Sequence, residues 1–241
     1  MAIYALSDLH LCLSHPEKSM HMFGSGWEGY IEKIKAHWEE TVCPEDTVLV
    51  PGDISWALLV NNAYEDFKFL DSLPGTKLIC RGNHDYWWST MKKVNDYFES
   101  QGFNSIKLVR TNVTEVEGCL ISGTRGWKLP NVDSFSADDR KVLERELIRV
   151  GLCVKEFNEA DPEHTKKRIL MLHYPPLTNV VHKTDFTKII EEGDIDLCVF
   201  GHLHGKSHKR IFEGKLDNGK TIYRCVSGDF ISFKPLKIQG F

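Results

Sequence analysis

The sequence predicts one α/β domain. Short apolar runs rich in β-branched residues alternate with longer amphipathic stretches, and Gly, Asp or His closes the short runs. Strands of a parallel sheet covered on both faces read as continuous apolar runs of this kind. With 241 residues, 41% hydrophobic and 27% charged, the chain is long enough to bury a large core.

The strand-like runs lie at residues 2–6, 47–50, 77–80, 106–109, 119–121, 168–172 and 196–200. Helical patterns fall between them. Trp27, Tyr30, Ile31, Ile34 and Trp38 share one face by their three-and-four spacing, as do Ala63, Phe67 and Leu70, and then Met91, Val94 and Phe98. The longest helical pattern runs from Ser136 toward Glu159, with Leu143, Leu147, Val150, Val154 and Phe157 on one side. Ser136 and Asp139 have the spacing of a capping box. The opposite face (Asp138, Arg140, Lys141, Glu144, Arg145, Arg149) reads as solvated surface. Residues 216–220, Leu-Asp-Asn-Gly-Lys, mark a hairpin turn between two strand-like stretches. Repeats, low-complexity tracts and linkers are absent, so residues 1–241 are read as a single domain, with a helical insertion at about 131–162.

Composition narrows the function classes. The net charge of -4 gives no sign of nucleic-acid binding through bulk electrostatics. The seven cysteines are odd in number and form no Cys-x-x-Cys pair, which points to buried free thiols in a reducing cytoplasm. The start of the chain lacks the pattern of a signal peptide, and no apolar run approaches the roughly 20 residues of a membrane span. A cytoplasmic protein is expected.

The polar clusters fall at the ends of the strand-like runs. AIYALS ends in Asp8-Leu9-His10, TVLVPG in Asp53, KLICRG in Asn83-His84-Asp85, RILML in His173, and DLCVFG in His202-Leu203-His204. Open α/β sheets place ligand sites at the carboxyl ends of their strands, so these residues converge if the strands form. Each has an ordinary reading by itself: Asp8 as a helix cap, Asp53 as a turn residue, the histidines as alternating strand residues. Five clusters in order require a site. Carboxylate with imidazole suits zinc, manganese or iron, whereas an all-oxygen magnesium or calcium site needs no histidine. Asp8, His10, Asp53, Asn83, His173, His202 and His204 are too many ligands for one ion with an open position, and suit two ions sharing a carboxylate.

The ordered set Asp-x-His, Gly-Asp, Gly-Asn-His-Asp, His and Gly-His-x-His resembles the calcineurin-like metallophosphoesterases, over residues 8–204. That resemblance implies two facing mixed β-sheets flanked by helices, a four-layer sandwich. It implies two divalent or trivalent transition metals drawn from Mn, Fe, Zn, Co or Ni, held by Asp8, His10 and His204 on one side and by Asn83, His173 and His202 on the other, with Asp53 between them. It implies hydrolysis of a phosphate mono- or diester by a bridging hydroxide. His84 would stabilise transition-state charge and protonate the leaving oxygen, and Asp85 would orient His84. The purple acid phosphatase branch has a tyrosine ligand three residues after the bridging aspartate; here Trp56 stands there and offers no metal-binding atom. A compact bacterial-type phosphohydrolase is the expected subgroup, with a nuclease as the alternative and a non-catalytic scaffold as the third reading. A nuclease would carry a basic strand-binding groove, and a scaffold would have lost ligands.

Around the motifs, Arg125 in the loop Gly123-Thr124-Arg125-Gly126-Trp127 is the candidate phosphate contact. Trp56, Trp87, Trp88 and Tyr174 are candidates for an apolar wall against a nucleotide-like leaving group. His15, His21 and His182 lie in loops without a specific mark, and residues 11–26 read as a long, functional loop.

Overall fold

The structure is a computed structural model that describes residues 1–18, 20, 24–130, 132 and 134–239. Along the chain, β1 (Ile3–Ala5), α1 (Tyr30–Thr41), β2 (Thr47–Pro51), α2 (Tyr64–Ser72), β3 (Thr76–Cys80), α3 (Met91–Gln101) and β4 (Ile106–Leu108) form the first half. The second half holds β5 (Thr114–Val116), β6 (Cys119–Thr124), α4 (Ala137–Ala160), β7 (Lys167–Leu172), α5 (Asp185–Glu192), β8 (Leu197–Phe200), β9 (Gly214–Lys215), β10 (Ile222–Cys225) and β11 (Leu236–Ile238).

Two mixed sheets result. The first has the order β11-β1-β2-β3-β4, with β1 to β4 parallel and β11 antiparallel at the edge. The second has the order β5-β6-β7-β8-β10-β9, with β6, β7, β8 and β10 parallel and antiparallel strands at both edges. Ala5, Leu49, Leu78, Ile121, Ile169 and Val199 pack together between the sheets. Ile34, Trp38, Phe67, Leu70, Val94 and Phe98 bring α1, α2 and α3 onto the outer face of the first sheet. Leu143, Val150, Phe157, Phe186 and Ile190 bring α4 and α5 onto the outer face of the second. The four-layer expectation is therefore met. The last strand, β11, carries the chain back from the second sheet to pair with β1 of the first.

Each expected strand is present, and α1 to α4 carry the expected helical faces. The capping box of α4 is formed: Ser136 Oγ accepts the Asp139 N–H at 3.1 Å, and the Asp139 carboxylate accepts the Ser136 N–H at 2.9 Å. Such a cap contributes about 1 kcal/mol. Residues 216–220 form the turn of the β9–β10 hairpin. Trp27 departs from the expected helix. It sits in a separate 3-10 turn, Ser25–Trp27, because Gly29 at φ 60 breaks the path before α1 begins. The helix α5 escaped the periodicity reading because its eight residues make only two turns. All seven cysteines are free. Among the described residues, no helix is long and apolar enough to cross a membrane.

Candidate metal centre

The carboxyl ends of β1, β2, β3, β7 and β8 meet where the two sheets face each other. Main-chain bonds lace the ends together: the Asp8 N–H donates to the Gly52 carbonyl at 3.0 Å, the Ser7 N–H to Val226 at 2.8 Å, and the Gly201 N–H to His173 at 3.1 Å. Two glycines permit this closeness. A Cβ at Gly82 would run into the carboxylate and backbone of Asp53, and one at Gly201 into Ser7 and Asp8. The backbone is strained at the polar residues themselves. Asp8 (φ 61), His10 (φ 42), Asp53 (φ 53) and His202 (φ 74) all adopt left-handed conformations. Each costs on the order of 1–3 kcal/mol and persists only where the surroundings over-determine it.

The side chains gather into two neighbouring groups. Asp8, His10 and His204 place one ligand atom each within 4.8 Å of one another, and so do Asp8, Asp53 and His173. Asp53 touches both: its Oδ2 lies 3.6 Å from His10 Nε2 and 3.4 Å from His173 Nε2. Asn83 Oδ1 is 2.7 Å from His173 Nε2, and His202 Nδ1 is 3.2 Å from the same atom. All seven sequence-derived candidates are thus in one place. Asp8, His10, Asp53 and His173 are buried, and His202, His204 and Asn83 are half-buried at the rim.

The imidazole tautomers indicate what the site is built to hold. His173 Nδ1 faces the Pro51 carbonyl at 3.0 Å and its Nε2 faces Asn83 Oδ1 at 2.7 Å; both oxygens only accept, and a neutral ring has one proton for the two. Burial depresses His173 to about 4 despite Asp8 and the Pro51 bond. One of its nitrogens therefore meets an oxygen with no proton between them, and Nε2 also lies 3.4 Å from the Asp53 carboxylate. His204 Nδ1 donates to Asp229 Oδ1 at 2.8 Å, leaving Nε2 facing Asp8 Oδ1 at 3.2 Å. Burial works against charge on His204, but Asp8 and Asp229 outweigh it and raise the group to about 10. Burial, chiefly, holds His10 and His202 well below their ordinary values. Burial, then Asp85 and Asp8, push Asp53 up. Carboxylate oxygens and imidazole nitrogens that converge in a buried site need a proton or a metal ion between them, and these atoms are the N and O set of a transition metal.

Asp229 was missed in the sequence. Its carboxylate fixes the ring of His204 and also accepts the Gly205 N–H at 2.9 Å, the arrangement in which a carboxylate orients a metal-binding histidine. The signal was there: the strand-like IYRC is followed by Val-Ser-Gly-Asp, the same run-then-Gly-Asp ending as TVLVPGD. We predict that Asp229→Asn weakens metal binding roughly 10–100-fold, measured by competition with a chelator; unchanged affinity would mean that His204 is held by packing alone.

His84 lies beside the cluster. Its main-chain N–H donates to Asp53 Oδ1 at 2.8 Å, and its ring packs 4.5 Å from Trp56 and 5.6 Å from His10 between centroids. Its Nδ1 is buried without a hydrogen-bond partner among the described residues. Burial lowers its pKa against the pull of Asp8.

The expected orienting role of Asp85 needs correction. Its carboxylate accepts the N–H groups of Asp53 (2.9 Å), Ile54 (2.8 Å), Ser55 (3.3 Å) and Gly82 (2.7 Å), and the indole N–H of Trp87 (2.9 Å). A buried carboxylate takes the donors nearest it, and here these are the orphan N–H groups of two strand-end loops. Asp85 staples those loops together and does not bond to the His84 ring.

The aromatic wall also differs. Trp87 and Trp88 are buried in the core with Phe67, closed to a substrate. Trp56 stacks on His10 at 4.9 Å and Tyr174 lies 4.1 Å from the His202 ring, so both brace imidazoles. Tyr86, 57% exposed and 6.3 Å from His84, is the aromatic left open to solvent there. The Arg125 carbonyl accepts the N–H groups of His173 and Tyr174, while its guanidinium stacks on Trp127 and lies 3.7 Å from Glu146. His15 pairs with Glu17 and His182 packs on Phe212, and neither belongs to the two Asp/His groups. His21 falls outside the described residues.

Residues 1–206 match the family model described as calcineurin-like phosphoesterase. The chain belongs to that family. As a calcineurin-like phosphoesterase it is a metal-dependent enzyme of phosphoester hydrolysis, and its candidate Asp/His groups fit that dependence. No curated protein matches the sequence. Among solved structures, the chain is similar to AQ665 of Aquifex aeolicus, a protein of unknown function, with 18% identity and a TM-score of 0.51 over 98% of this chain and 95% of that one. It is also similar to the phosphopantetheinyl hydrolase PptH of Mycobacterium tuberculosis, with 14% identity and a TM-score of 0.52 over 100% and 96%. At such identities the likeness is one of fold.

Proposed function

We propose that this phosphoesterase cleaves a phosphate mono- or diester at a two-metal centre held by Asp8, His10 and His204 and by Asn83, His173 and His202, with Asp53 shared. The observation that carries the reading is the pair of histidines whose outer nitrogens are already committed, to Pro51 and to Asp229, and whose inner nitrogens face Asp53 and Asp8. Ions from the set Mn, Fe, Zn, Co and Ni suit these donors and supply Lewis acidity toward the phosphoryl oxygens and the attacking water.

The protein's own contribution is preorganisation. The strained turns at Asp8, His10, Asp53 and His202 hold the donors before any ligand arrives. Ser7 Oγ donates to Asp8 Oδ2 at 2.7 Å, and the His202 N–H donates to both Asp8 oxygens, so this carboxylate cannot swing. His84, half-buried beside the cluster, is assigned the proton for the leaving oxygen. PptH acts on a phosphopantetheinyl group by its name; here the substrate is placed only as a phosphoester.

Removal of metal by a chelator is expected to abolish turnover of para-nitrophenyl phosphate and bis-para-nitrophenyl phosphate, and reloading to restore it. The faster ester assigns mono- or diesterase character. Turnover that survives complete metal removal would refute the reading.

A further inference from the structure

On the Asn83 and His173 side of the centre, Arg81, Arg110, Arg125 and Arg149 converge with Thr124 and Glu146 on a cavity of about 30 Å³. That space suits a small group and not a nucleobase. The cavity adjoins the metal centre through the chain itself: Arg81 directly precedes Gly82-Asn83, and the Arg125 carbonyl accepts the His173 N–H at 3.0 Å.

Glu146, fully buried, is the one carboxylate among the lining residues. It accepts from Thr124 Oγ1 at 2.7 Å, pairs with Arg149, and lies 3.7 Å from Arg125. One carboxylate balances one guanidinium, so the lining carries an excess of positive charge. Two donors confirm that partners are wanting. Arg81 Nε and Arg125 Nε are buried with no hydrogen-bond partner among the described residues. Buried donors without partners are rare and call for a ligand or an ion. Like charges gathered beyond what Glu146 needs are costly unless an anion joins them. Guanidinium groups match the paired oxygens of phosphate and carboxylate.

We propose that this cavity is a second anion subsite, which holds a phosphoryl or carboxylate group of the substrate while its phosphate ester lies at the metals. The proposal rests on the phosphoesterase reading and adds the substrate class: a phosphoester bearing a second anionic group a short distance from the scissile one.

The test uses the metal-loaded protein and a series of alkane bisphosphates, from ethane to hexane, against butyl phosphate. The parent protein should favour the best-spaced bisphosphate in kcat/KM by about tenfold or more, the value of one charge-assisted hydrogen bond. Arg110→Glu, at the exposed rim, should remove that preference, and Arg110→Gln should reduce it in the same direction. Crystals of the metal-loaded protein grown with inorganic phosphate should place an ion against Arg81 and Arg125 in addition to any at the metals. A phosphate in the cavity without any bisphosphate preference would assign the site to a free anion and overturn the substrate assignment. Neither a preference nor an ion would overturn the subsite itself. If the parent protein cleaves none of these esters, the phosphoesterase reading is at fault, and the crystal alone then decides: an ion in the cavity supports the subsite and an empty cavity overturns it.

Discussion

Replacing His84 by alanine is expected to lower kcat by about 10²–10⁴-fold while both metals stay bound, the range that general acid–base catalysis contributes. The separation follows from which atoms of His84 do what. Its main-chain N–H supports Asp53 at 2.8 Å, and alanine keeps that bond. The ring contributes no atom to either group of candidate ligands. It lies 5.6 Å from His10 and is half-buried, so part of the ring is open to a leaving oxygen. The loss should be small for nitrophenolate, which departs without a proton, and large for alkyl leaving groups. The measurement is kcat against leaving-group pKa for both proteins, with metal content determined for each. Parallel plots would show that His84 is not the acid. Loss of metal with the ring would make it a ligand.

The legible part of this protein was local. The inner parallel strands announce themselves because both faces are covered, as in the uniformly buried β2 and β8, and the residue that follows such a strand is fixed in position by it. Asp8, Asp53, Asn83, His173 and His202 could therefore be placed from the run before them. The antiparallel edge strands carry no such signal. In β5 and β11 the middle residue is exposed and its neighbours only half-buried, so neither reads as an apolar run.

Contacts between distant residues were the illegible part. Asp85 sits next to His84, and adjacency suggested a pair, yet its oxygens turn back to N–H groups some thirty residues earlier in the chain. Asp229 and His204 are separated by 25 residues and meet only because β10 lies beside β8. Glu146 reads in the sequence as one more acidic residue of a charged helix. Only the packing of α4 on β6 turns it inward to Thr124. Trp87 and Trp88 follow the motif directly but point into the core beneath it.

The central claim is that one carboxylate serves two ions. Asp53 Oδ2 stands between His10 Nε2 at 3.6 Å and His173 Nε2 at 3.4 Å, one from each side of the centre. Burial, Asp85 and Asp8 all oppose its charge, so its ionised form depends on cations nearby. Asp53→Asn keeps the shape and removes the charge. It should weaken both sides at once, and by more than the roughly 10–100-fold that loss of a supporting residue costs. Asn83→Ala, which touches only the His173 side, should spare the other ion. Elemental analysis of reloaded protein tests this most directly. The account predicts close to two transition-metal ions per chain in the parent protein, about one in Asn83→Ala and fewer than one in Asp53→Asn. A parent protein that saturates at one ion, or an Asp53→Asn variant that keeps two at parental affinity, would contradict it.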